Sequence, residues 1–97
     1  MIKTPLSVAN KSWSLIVFAA ARSPIILTHH GKPWVVVSRC TGRMKSIAAA
    51  LSADEWTNRE AQRDPFGAAR IARETGALIV RTKPALVLLP VSGFSRH

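Results

Sequence analysis

Pro24-Ile25-Ile26-Leu27-Thr28-His29-His30-Gly31-Lys32-Pro33-Trp34-Val35-Val36-Val37-Ser38 is the stretch on which the fold turns. Two apolar, largely β-branched runs flank a short polar segment containing Gly31, which can take positive φ without steric cost. That pattern reads as an antiparallel hairpin. Both runs are almost continuously apolar, as in strands covered on both faces. One cover is expected from a helix and the other from a partner chain.

Working outward on the N-terminal side, Ala9, Trp13, Ile16, Val17 and Ala20 recur at helical spacing after Ser7, a residue type that caps helices. One helix over Val8 to Ala21 is expected. The same residues, following Lys3 and Lys11 and ending in Ala19-Ala20-Ala21, also have the form of a secretory leader. Arg22 and Pro24 close the run before it reaches the roughly 20 apolar residues a membrane span requires.

On the C-terminal side, Met44 to Leu51 is Ala-rich and helical in character, and Ser52-Ala53-Asp54-Glu55 has the spacing of a capping box opening another helix. Asp64-Pro65 supplies an N-cap and a first-turn proline, and Gly76 a C-cap, bounding a helix over Pro65 to Thr75. Ala77-Leu78-Ile79-Val80 and Ala85-Leu86-Val87-Leu88-Leu89 then flank Arg81-Thr82-Lys83-Pro84 as a second hairpin. Both hairpin turns end in Lys-Pro, so the second half echoes the first, and an internal duplication is one reading of that echo. Ser92 to His97 is expected to be mobile. The fold class is therefore α+β, with residues 1–42 and 43–97 as its two regions.

The chain has 97 residues, 47% of them hydrophobic, with 14 Lys and Arg against 5 Asp and Glu. So small a chain buries a limited fraction of its surface, and a homodimer is the expected remedy. The charge is unevenly placed. Lys3, Lys11, Arg22, Lys32, Arg39, Arg43 and Lys45 stand in residues 1–50 without one carboxylate, whereas all five acidic residues fall later. An unopposed positive field attracts polyanions, nucleic acid first among them.

The order of helix, apolar run, Thr-x-x-Gly-Lys-Pro turn and apolar run over residues 5–38 resembles the N-terminal half of Phd/YefM (prevent-host-death) antitoxins, where a short strand and a helix precede such a hairpin. The resemblance implies a dimer with a shared sheet that binds operator DNA. It also implies a C-terminal part that neutralises a protein toxin. Asn10 and His29 stand where that family often has Arg. An apolar second hairpin also stands where the family has an acidic, often disordered tail.

Lys11, His29, His30, Lys32, Arg39, Arg43 and Lys45 are the candidate DNA-contacting residues, since phosphate contacts need positive charge or a donor within reach. Trp56, Arg59, Arg63, Phe66 and Arg70 are the candidate toxin-contacting residues. Trp13 and Trp34 fit core or interface packing, with base stacking as the alternative. No metal is expected, because neighbouring His29 and His30 point to opposite faces of a strand. The single Cys40 allows no intramolecular disulfide and fits a reducing cytoplasm. No paired acid and base or oriented nucleophile emerges, so neither an enzyme nor a cofactor is expected. A basic RNA- or ribosome-associated module and a scaffold without nucleic acid are the rival readings.

Overall fold

The computed structural model describes residues 2–50, 52–80 and 84–91, with the side chains of 44, 48 and 50 also outside the description. Residues 81–83 of the expected second turn, and the tail at 92–97 that is expected to be mobile, lie outside the described residues. Eleven elements follow one another: β1 (Ile2–Pro5), α1 (Leu6–Lys11), α2 (Trp13–Ala20), β2 (Ile25–His29), β3 (Lys32–Arg39), α3 (Gly42–Ala50), β4 (Asp54–Thr57), α4 (Asn58–Arg63), α5 (Pro65–Thr75), β5 (Ala77–Val80) and β6 (Leu86–Pro90). The α+β expectation holds, as one mixed six-stranded sheet in the order β1-β2-β3-β6-β5-β4.

That order is the same read from either edge. β1 pairs parallel with β2 and β4 parallel with β5, while β2–β3, β5–β6 and the central β3–β6 pairings are antiparallel. Each half is therefore a β-α-α-β-β unit, and α3 joins the two. An offset of 52 positions carries Pro5 onto Thr57, Ala9 onto Ala61, Ser12 onto Asp64, Ala20 onto Ala72 and Leu27 onto Ile79. Past the second turn the offset becomes 51 and carries Val35, Val36 and Val37 onto Leu86, Val87 and Leu88. In the central ladder Val37 pairs with Leu88, its own equivalent, and Val35–Pro90 and Arg39–Leu86 are equivalent pairs on either side. The pairing is thus that of a two-fold interface, formed inside one chain.

Three local expectations are corrected. The single helix over Val8 to Ala21 is two helices, broken at Ser12 (φ −141°, ψ 60°), whose N–H donates to the Val8 carbonyl at 2.8 Å. The apolar spacing runs unbroken through Ser12 because Leu6, Ala9, Trp13, Ile16 and Ala20 all reach the same core from both sides of the break. Asp64 breaks the second half in the same way (φ −142°, ψ 69°), with its N–H on the Glu60 carbonyl at 3.0 Å.

Ser7 does not cap. The N-cap position is Pro5, with no side-chain bond.

The capping box at Ser52 to Glu55 is not formed either, since Asp54–Thr57 is strand β4, paired with β5. The box forms one motif later. Thr57 Oγ1 accepts from the Glu60 N–H at 3.1 Å, and Glu60 Oε1 accepts from the Thr57 N–H at 3.0 Å.

Other expectations stand. The first hairpin turns through His30 (φ 53°) and Gly31 (φ 75°), with a register shift between Leu27 and Thr28. Helix α5 has the expected bounds, with Asp64 Oδ1 accepting from the Gly67 N–H at 2.9 Å. A Cβ at position 67 would overlap the Asp64 carboxylate, so glycine is what lets this cap close tightly.

Alternation along the strands sends Ile25, Leu27, Val35, Val37, Ala77, Ile79, Leu86 and Leu88 to a helical layer made of α1, α2, α4 and α5. On the opposite face Val87 and Leu89 pack under Ile47 of α3. Helix α3 of this chain covers β6 on that face, and the edge of β3 that a partner would extend is taken by β6. The outer edges β1 and β4 carry Lys3 and Asp54–Glu55, charges of the kind that discourage edge-to-edge pairing.

Candidate nucleic-acid interface

The β2–β3 turn and the start of α1 meet because β1 runs parallel to β2 and ends at Pro5 opposite Thr28. A shallow hollow forms there, lined by Pro5, Leu6, Ser7, Thr28, His29, His30 and Gly31. A second hollow adjoins it, lined by Leu6, Ser7, Asn10, His29 and Phe66. Lys11 follows Asn10 on α1, and Lys32 follows the turn as the first residue of β3; both are exposed. His29 and His30 line the first of these hollows and His29 also the second, while Lys11 and Lys32 are only chain neighbours of lining residues.

Arg39, Arg43 and Lys45 are not brought to that place. Lys32 and Arg39 begin and end the same eight-residue strand, a separation of about 23 Å at the usual rise. Arg43 and Lys45 lie on α3, the helix that packs on the sheet face opposite α1.

The residues proposed for a toxin are also dispersed. Trp56 lies in β4, half-buried against the main core. Arg59 and Arg63 are exposed on α4, Arg70 is exposed on α5, and Phe66 is 41% exposed in the first turn of α5.

Phe66 reaches the first hairpin. Its ring meets that of His29 edge-on, with centroids 5.6 Å apart, and lies 5.5 Å from the Trp34 ring. His29 stacks on Trp34 at 4.7 Å, and the Arg73 guanidinium lies over Trp34 at 5.5 Å. The cluster joins the two halves, and the Trp34 indole N–H is buried in it without an acceptor. These rings are committed to one another, so they do not form an open stacking platform. Trp13, by contrast, is buried and donates from Nε1 to Asn58 Oδ1 at 2.9 Å, a second link between the halves.

A third hollow is lined by Thr57, Asn58, Arg59 and Gln62. These are the equivalents of Pro5, Leu6, Ser7 and Asn10 at the offset of 52 positions. Ser7, Asn10, Asn58 and Gln62 carry no charge pattern and are missed by sequence reasoning. The repeat offset is the signal that could have found them.

Glu60 and Asp64, the carboxylates nearest Arg59 and Arg63 in sequence, are engaged in helix caps. The Thr57 backbone and side-chain hydrogen bonds hold the Glu60 carboxyl below its ordinary value, so it stays charged in its cap. Among the described residues no ion pair neutralises Lys11, Lys32, Arg59 or Arg63. Cys40 packs against Ile47 and Leu89, and burial pushes its thiol up despite the opposing charge of Lys45, a poor setting for a nucleophile. Among the described residues no group of three His, Cys, Asp or Glu could hold a metal, and no helix is long and apolar enough to cross a membrane.

Comparison with protein-family models, with curated proteins and with solved structures found no match for the chain.

Proposed function

We propose that the chain is an antitoxin of the Phd/YefM kind, which binds operator DNA and holds a protein toxin in the cytoplasm. The observation that carries this reading is the pair of β-α-α-β-β units sharing one sheet about a two-fold. The resemblance implies a sheet shared between two N-terminal regions, and operator palindromes mirror protein two-folds. The positive charge supports a phosphate partner, since Lys11, His30 and Lys32 are exposed around the first hairpin turn.

The toxin is held by α5 of the second half, where Arg70 is exposed and Phe66 stays 41% exposed beside the first hairpin. Completing the sheet requires no second copy of the chain.

Pull-down of the tagged protein from its host, with and without nuclease, tests the reading. The expected result is a stoichiometric small protein partner that survives nuclease, together with DNA from upstream of the protein's own gene. Recovery of ribosomal proteins alone, lost on nuclease treatment, would replace this reading with an RNA-associated module.

A further inference from the structure

We propose that one chain carries both half-sites of its DNA-binding surface, with Asn10–Lys11 in one and Gln62–Arg63 in the other, and that it engages duplex DNA as a monomer. The inference rests on the DNA-binding reading above. It moves Arg59 and Arg63 from the toxin to the DNA.

The two pairs occupy the same place in the repeat. Each ends the short first helix of its unit, immediately before the break at Ser12 or Asp64, where the backbone angles agree within about ten degrees. Each pair is an exposed amide followed by an exposed cation. The surrounding cores match, with Ala9 and Ala61 both fully buried beneath these helices. The two helices also pack reciprocally, α1 on α5 and α2 on α4, so the two-fold of the sheet extends into the helical layer.

Amides and cations are the side chains that bond phosphate oxygens and base edges. The half-sites are unequal, because Arg59 stands where the first unit has Ser7. The Cα envelope measures 30 × 27 × 23 Å, each extent shorter than one helical turn of DNA, roughly 34 Å. One chain then covers a single short site.

The test is fluorescence anisotropy with a mixed-sequence duplex of about 16 base pairs, long enough for one such footprint. It is combined with sedimentation of the complex and repeated with Lys11→Gln, Arg63→Gln and Arg63→Lys. The inference predicts one chain per duplex. Each neutralising variant should weaken binding about eightfold at 0.1 M salt and flatten the slope of log K against log salt by about 0.9. Arg63→Lys should largely restore both, because a phosphate contact needs the charge.

Binding that is unaffected by Arg63→Gln, or that needs two chains per duplex, would overturn the inference and leave the DNA-binding reading intact. No binding by the unmodified protein at low salt would overturn both. All three substitutions are at exposed positions, and thermal unfolding of each variant would show whether the fold is retained.

Discussion

Trp13 is buried in the core on α2 and Trp34 is half-buried on β3, and the two also differ in how their indole N–H is met. The Trp13 indole N–H is satisfied by Asn58 across the join between the halves, whereas that of Trp34 is buried without an acceptor. Trp13→Phe should therefore lower stability by about 1–2 kcal/mol, the usual range when a buried partner is left unpaired. Trp34→Phe should cost less, since it removes an N–H already desolvated without return. Urea unfolding of the two variants checks the order.

Glu60 supplies the pH dependence at the same scale. Its carboxyl is held below its ordinary value of 4.5 by the Thr57 hydrogen bonds. A group depressed in the folded state stabilises above its unfolded value, and that contribution is lost as pH falls through the folded one. Stability should therefore decline below about pH 4.5, and Glu60→Gln should shallow that decline in acid titrations followed by circular dichroism.

Among the elements, the legible ones carry strong punctuation. Asp64-Pro65 and Gly76 bound α5, and the Gly31-Lys32-Pro33 turn bounds the first hairpin, so both are readable from residues alone. The break in the first helix is not. A periodic apolar face continues through Ser12, and nothing at that position forbids helix.

The β4 strand is hidden for a different reason. Ser52-x-x-Glu55 and Thr57-x-x-Glu60 are the same capping motif in sequence, and pairing with β5 decides between them. Thr57→Ala should destabilise by about 1 kcal/mol and Ser52→Ala by a few tenths at most, because only the first removes a formed cap. Thermal unfolding distinguishes them.

The candidate interface was legible in part. His29 and His30 line one hollow with Ser7, but Lys32 and Arg39 share a strand and stand at its two ends. Arg43 and Lys45 are carried to the other face by α3.

At the scale of the whole molecule, the repeated Lys-Pro pair, Lys32-Pro33 and Lys83-Pro84, is the visible trace of an arrangement the sequence otherwise conceals. Trp13 is matched by Pro65 and Ile16 by Ala68, so residue identities differ while these positions stay buried in both halves. The consequence is one core. Residues from both halves lie in a single buried cluster, with Val37 and Leu88 paired at its centre. Unfolding should accordingly be a single cooperative transition. Leu88→Ala should lower its midpoint by an amount equivalent to about 2–5 kcal/mol without splitting it in two, which calorimetry reads directly.

This chain contains within itself the two-fold partner that a shared sheet requires. Sedimentation equilibrium of the full chain over a range of micromolar concentrations should then show a single species at the mass of one chain, 10.6 kDa. A species of twice that mass, persisting on dilution, would contradict it.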